Sequence, residues 1–208
     1  MSAIVCGALQ FAPGAVLRKQ YRVSVPPDTR GGAGTLQIRL LDGNGVSEAE
    51  PVALGPLTIS VPTRTFTAPA IESPLTARFG EGIHLLGYRA PATVHSGASL
   101  PMTLYWKSTA VLAERYTVFI HLLDAEGHIV TQIDSQPTQG ARPTSGWLPP
   151  EIITDEHTLT LPADLPLGPY RLAIGLYDPR TGIRVPISTA EGAITDRLEV
   201  SMVLVTAP

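Results

Sequence analysis

Apolar and polar side chains alternate with a period of two in three segments, 100–107, 170–177 and 198–204. Such alternation predicts a β-strand with one buried face. The segment 116–123 (YTVFIHLL) is apolar at consecutive positions, which predicts a strand covered on both faces. No window longer than about ten residues keeps helical spacing without Gly or Pro. The pattern therefore predicts an all-β fold with little helix.

Three short loops that follow predicted strands begin with Asp and end with Gly: 42–45, 124–127 and 178–182. The last of them precedes a further expected strand, IRVPI (183–187). An Asp side chain can cap turn amides, and Gly adopts the left-handed conformation that a tight reversal needs. Together with the strand spacing, these loops predict an antiparallel two-sheet sandwich. Immunoglobulin-like and jelly-roll-like topologies both remain open.

The segment 21–45 repeats the order of features in 157–182: a strand ending near Pro, an Asp-containing loop, an alternating strand and an Asp-to-Gly turn. We therefore predict a partial β-sandwich unit at 1–62, a linker at 63–77 and a complete sandwich at 78–208. Chance similarity between two strand–turn patterns is the alternative. The apolar segment 3–17 lacks a basic leader, so we expect a strand there rather than a signal peptide.

Composition excludes several classes of protein. Hydrophobic residues make up 44% and charged residues 16% of the 208 residues, which excludes disorder driven by charge. The net charge of −3 gives no general attraction to nucleic acid or anionic lipid, and no apolar run is long enough for a membrane span. A single cysteine excludes an intramolecular disulfide.

No catalytic motif is present, so we predict no catalytic residue and no cofactor. The five histidines lack metal-ligand spacing. Four carboxylates near the motifs could form a glycosidase pair, but turn capping is the better explanation for them: Asp124, Asp134, Glu151 and Asp155. A loop calcium site would use the oxygens of Asp124, Glu126 and Asp134.

Aromatic side chains are the best binding candidates. Tyr105 and Tyr177 lie opposite the apolar rows of their strands, and Trp147 lies in a Pro- and Gly-containing loop. Exposed rings would stack on sugar faces. The alternative is structural, with Trp147 closing the sandwich edge and the tyrosines covering a sheet.

Several segments of the second half resemble a known module: FGEGIHLLGY (79–88), LPMTLYW (100–106), PTSGW (143–147) and GPYRLAIGLYDPRTGIRV (168–185). They are similar to the C-terminal extracytoplasmic β-sandwich of predicted bacterial membrane glycosyltransferases of the dolichyl-phosphate-mannose mannosyltransferase type. The resemblance covers about residues 78–205 and implies a module on the cell exterior. The membrane spans and catalytic acidic residues of those enzymes have no counterpart here.

The sequence thus predicts a non-catalytic accessory or interaction module. A carbohydrate-binding module is the first alternative and a small glycoside hydrolase is a distant one. Expected partners are a glycan or the membrane-embedded part of a larger protein, without nucleic acid or direct membrane insertion. A homodimer through the incomplete N-terminal unit is a further expectation.

Overall fold

The computed structural model describes residues 20, 23, 25–47, 49–190, 192 and 194–207, so the strand expected at 3–17 lies outside the described residues. The chain divides into two compact units, Met1–Thr63 and Arg64–Pro208. The first strand of the second unit begins at Ser73, inside the segment expected to be a linker.

The first unit contains one antiparallel strand pair, β1 (Gly32–Ile38) and β2 (Val52–Ile59). A tight turn follows β1, and there the carboxylate of Asp42 accepts the N–H groups of Asn44 and Val46. None of the described residues from 20 to 62 is buried. Large aliphatic side chains are therefore exposed on this unit: Leu36, Ile38, Leu40, Leu41, Val46, Val52 and Leu54.

The second unit is built from two sheets, which confirms the predicted all-β sandwich. The five-stranded sheet has the order β5 (Thr93–His95), β13 (Leu198–Thr206), β10 (Gly168–Tyr177), β7 (Thr117–Leu123) and β8 (Ile129–Ser135). The six-stranded sheet has the order β12 (Ile194–Thr195), β11 (Ile187–Thr189), β3 (Ser73–Phe79), β4 (Ile83–Arg89), β6 (Ser99–Ser108) and β9 (Ile152–Thr160). All pairings are antiparallel except β5 with β13.

Helical structure among the described residues is limited to two short 3₁₀ turns, Pro137–Gly140 and Thr144–Gly146. No helix in this part of the chain has the length and hydropathy needed to cross a bilayer.

The core lies between the two sheets and is formed by the apolar rows that the alternation predicted. In β6 the inward side chains include Leu104 and Trp106, and in β10 they include Ile174. Trp106 packs edge-to-face against Phe79 with ring centroids 5.1 Å apart, an arrangement that adds about 0.5–1.5 kcal/mol beyond area burial.

Strand β7 is buried at every position, as the apolar run predicted. Val118, Ile120 and Leu122 face the core, so the intervening Phe119 and His121 must lie on the outer face of the sheet. Other groups therefore cover that outer face, and the candidate site is formed there.

The reversal at 178–182 leads to a different strand from the one expected. Gly182 has a φ of 73° and Tyr177 pairs with Arg184, but only Ile187–Thr189 forms a strand, and it pairs with β3 of the other sheet. Pro186 has no N–H to donate, which interrupts the expected strand 183–187. The chain thus crosses between the sheets and places residues 182–184 beside the outer face of β7.

Candidate functional site

A shallow groove of about 240 Å³ lies on the outer face of the five-stranded sheet. Three strands contribute to it: β7, β8 and β10. The loop 178–186 closes one side. We call it the outer-face groove; it is lined by Phe119, His121, Ile129, Gln132, Asp134, Tyr177, Gly182 and Arg184.

The floor of the groove is aromatic. Phe119 lies opposite Gly175 in the register of β7 with β10, and its ring stacks on His121 with centroids 4.6 Å apart. A Cβ atom built on Gly175 would lie only 2.0 Å from Cζ of Phe119. Glycine at this position therefore provides the space that the ring occupies.

The walls of the groove are polar. The hydroxyl group of Tyr177 donates to Oδ2 of Asp134 at 3.1 Å. The guanidinium carbon of Arg184 lies over the ring of Phe119, 4.6 Å from its centroid, and Arg184 also pairs with Asp196 at 3.2 Å. The groove thus combines hydrogen-bond donors and acceptors with an aromatic floor.

His121 is the most unusual polar group of the site. It is 4% exposed, and its Nδ1 atom has no hydrogen-bond partner among the described residues. Burial lowers the pKa of His121, and the positive charges of Arg184 and Arg197 lower it further, against an opposing effect of Asp134. The imidazole is therefore neutral at pH 7, and its buried Nδ1 has no partner within the part of the chain that the structure describes.

Of the three aromatic residues predicted to bind, only Tyr177 lies in the groove. Tyr105 lies on the outer face of the six-stranded sheet, on the opposite side of the sandwich, and is buried. The structure therefore does not bring these two tyrosines together.

Trp147 is 0% exposed, and its Nε1 donates to the carbonyl oxygen of Arg142 at 2.8 Å. This corrects the expectation of a ring presented to solvent, because an indole enclosed on all sides has no face left for a sugar. The structural alternative, a ring that closes the sandwich edge, agrees with its burial in the core cluster.

The residues predicted to bind calcium are divided between two places. Asp124 and Glu126 cluster with His128 in the β7–β8 turn, where one ligand atom from each lies within 4.8 Å of the others. Asp134 is instead bonded to Tyr177 in the groove. Calcium prefers six to eight oxygen ligands, and here an imidazole nitrogen replaces the third carboxylate. The side chain of Asp124 also accepts the N–H of His128, which is the capping role.

Glu151, a candidate for a glycosidase pair, has a structural role. Its side chain is fully buried and forms ion pairs with Arg64 and Arg142, while its Oε2 accepts the N–H of Leu148 at 2.9 Å. The cluster joins the start of the second unit to the loop before β9. Both carboxylate oxygens are engaged within the protein.

Asp155 is also fully buried. Its oxygens accept the Nε1–H of Trp106 at 3.1 Å and the N–H of Thr138 at 2.7 Å. Nε2 of His157 lies 2.8 Å from Oδ2 but has no hydrogen-bond partner among the described residues. Nδ1 faces the hydroxyl group of Ser135 at 3.3 Å.

The Ser135–His157–Asp155 set has the residue types of a hydrolytic triad but not its arrangement. In such triads the carboxylate is bonded to Nδ1 and the serine to Nε2, whereas the two nitrogens have exchanged roles here. The His157 side chain is 1% exposed, which leaves no room for a substrate beside it. The set therefore connects the edges of the two sheets at β8 and β9.

The groove residues that sequence reasoning missed include Phe119, His121, Gln132 and Arg184. Phe119 and His121 belong to an apolar run in which the sequence pattern does not distinguish the core face of the strand from its outer face. The signal for the site was Gly175, a glycine in the middle of a regular strand, which often marks a close approach of another group.

Comparison with known proteins gives a limited result. No protein-family model matches the chain, and no curated protein matches it in sequence. Similar solved structures include the C-terminal domain of wzt, with 15% identity and a TM-score of 0.47 over 68% of this chain and 83% of that one. A CARDB domain from Pyrococcus furiosus, in complex with di-metal ions, has 11% identity and a TM-score of 0.36 over 62% of this chain and 96% of that one. At these values the likeness supports no functional argument.

Proposed function

We propose that this chain is a non-catalytic binding module and that its outer-face groove binds a neutral sugar unit of a glycan. The observation that carries the proposal is the combination in one groove of an aromatic floor with the Asp134–Tyr177 pair and the side chain of Gln132. Sugars present apolar CH faces together with hydroxyl groups, so they need both kinds of contact.

The size of the groove favours a small ligand. Pockets for drug-sized molecules are typically about 300–1,000 Å³, and this one is about 240 Å³. One sugar ring matches that volume, and the open form of the groove leaves room for the neighbouring units of a chain.

The charges favour a neutral ligand. The groove contains the carboxylate of Asp134 and the guanidinium of Arg184, and the latter is already paired with Asp196. An acidic sugar would be repelled by Asp134, and the described lining residues offer it no free cation, because Arg184 is already paired.

The same lining argues against glycoside hydrolysis. That reaction uses two carboxyl groups about 5–10 Å apart, and Asp134 is the only carboxylate among the described residues that line the groove. Glu151 and Asp155 are fully buried in structural networks.

The proposal is tested by calorimetric titration of the whole chain with neutral monosaccharides and short oligosaccharides at millimolar concentration. Tyr177→Phe and Asp134→Asn should each weaken binding by about fivefold or more, because each removes a hydrogen-bonding group from the groove. Tyr105→Phe and Asp164→Asn are matched controls outside the groove and should bind like the wild type. Absence of binding to every sugar, or equal loss in the controls, would overturn the proposal.

A second proposal concerns the first unit. β1 and β2 pair only with each other among the described residues, and their aliphatic side chains are exposed. An isolated hairpin of this kind is marginally stable, so we propose that a second copy of the chain covers it. Sedimentation over a range of concentrations tests the homodimer, which Leu54→Lys should weaken while the exposed Leu167→Lys should not.

A location on the cell exterior stays a prediction from the resemblance alone.

A further inference from the structure

The aromatic floor of the outer-face groove is covered in the free protein. Phe119 is 2% exposed although it lies on the outer face of the sheet. His121 stacks on its ring, and the guanidinium of Arg184 lies over it. An arginine therefore occupies the position over the ring where a ligand would stack.

The second observation is the unpartnered Nδ1 of His121. Most buried side-chain polar atoms have a hydrogen-bond partner, and one without a partner costs stability. Because this nitrogen lines a groove that is open to solvent, a water molecule or a ligand can supply the partner. A sugar hydroxyl group can donate or accept, so it can satisfy this nitrogen in either tautomer of the imidazole.

The contacts that hold Arg184 in place are weak ones. Its ion pair with Asp196 joins side chains that are 35% and 62% exposed, and exposed pairs of this kind add little. The neighbouring backbone bridge between Tyr177 and Arg184 does not depend on the side chain. The guanidinium can therefore swing away while the loop keeps its path.

We propose that Phe119 and His121 form a stacking subsite for a neutral sugar ring, and that Arg184 covers this subsite until the sugar displaces it. The inference rests on the proposed function. In the bound state the ring lies over Phe119, and one of its hydroxyl groups reaches Nδ1 of His121. Arg184 then moves to the rim, where it keeps Asp196 as a partner.

The proposal predicts that shortening Arg184 strengthens binding, because a ligand that must first displace a cover binds with reduced apparent affinity. Arg184→Ala and Arg184→Gln are titrated with neutral monosaccharides, and each should bind about threefold or more tightly than the wild type. Arg180→Ala is the matched control, since it removes an arginine of the same loop that pairs with Asp178 and Glu114. Unchanged or weaker binding in both Arg184 variants would overturn the proposal.

A measurement without ligand separates this inference from the proposed function. Removal of Arg184 takes away both a cover and a positive charge, so the pKa of His121 should rise in Arg184→Ala but not in Arg180→Ala, as followed by NMR titration of the imidazole protons. A pKa that stays at its wild-type value overturns the covering role of Arg184. If the pKa rises while no sugar binds to any variant, Arg184 lies beside His121 as the structure has it and the proposed function fails.

Discussion

Phe119 occupies the space that a side chain on Gly175 would need. The two residues are cross-strand neighbours on the outer face of the five-stranded sheet, and a Cβ on Gly175 would lie 2.0 Å from Cζ of the ring and 2.3 Å from Cε1. The glycine therefore decides where the aromatic floor of the groove lies.

The first prediction concerns this contact. Gly175→Ala should force the ring out of its position and lower the free energy of unfolding by about 1–3 kcal/mol, the usual cost of overpacking. Urea unfolding of the wild type and the variant measures this difference in the free energy of unfolding. Gly146→Ala is the control, because only Cγ of Pro143, at 4.0 Å, lies near its Cβ position, and it should change stability by less than about 0.5 kcal/mol. Equal stability of the two variants would contradict the contact.

The second prediction concerns the buried carboxylate of Glu151. Glu151→Ala leaves two arginines without their shared counter-ion, and breaking a buried ion pair costs about 3–5 kcal/mol. Glu199→Ala removes a carboxylate whose ion pair with Arg171 is largely exposed, and it should cost no more than about 1 kcal/mol. Denaturant unfolding of both variants checks the difference, and a mild effect at Glu151 would rule out a structural role for the cluster.

The third prediction concerns Trp147. Trp147→Phe removes the donor to the carbonyl oxygen of Arg142 and leaves unfilled volume, which should cost about 1–3 kcal/mol. Sugar binding by the folded variant should be unchanged, since the ring lies inside the protein. Calorimetric unfolding and sugar titration of the same sample give the two results. Weaker sugar binding without loss of stability would restore Trp147 as a ligand contact.

The fourth prediction concerns pH. The pKa of His121 in the folded chain is lowered by burial and by Arg184, below the ordinary value of 6.5. As the pH falls through 6.5, the unfolded chain takes up the proton first, so this histidine contributes stability above pH 6.5 that is lost on acidification until the folded pKa is passed.

The test compares the loss of unfolding free energy between about pH 7.5 and about pH 5 in the wild type and in His121→Asn, where the loss should be smaller. His84 is a second histidine with a lowered pKa, because of its burial and the nearby charges of Arg78 and Lys107. His84→Asn should therefore also reduce the loss of unfolding free energy on acidification. An unchanged slope in His121→Asn would contradict a neutral, buried imidazole.

The sequence by itself determined the class of fold, the main strands of the sandwich and its Asp-to-Gly turns. Two-residue alternation in β6 and β10 and the Asp-to-Gly reversals are local features, so a single segment contains all the information they need. Tyr177 was a binding candidate for the same reason, since it stands opposite the apolar row of its own strand.

Tertiary structure alone decided the groove. Phe119, Gly175 and Arg184 come from distant segments, and the pairing of β7 with β10 brings the first two together. In β7 every position is buried, so no pattern separates the core face from the outer face. Trp147 shows the same limit, because a loop sequence does not specify whether its ring packs inward. Local periodicity is set by each strand alone, whereas contacts between strands depend on a register that only the folded sheet fixes.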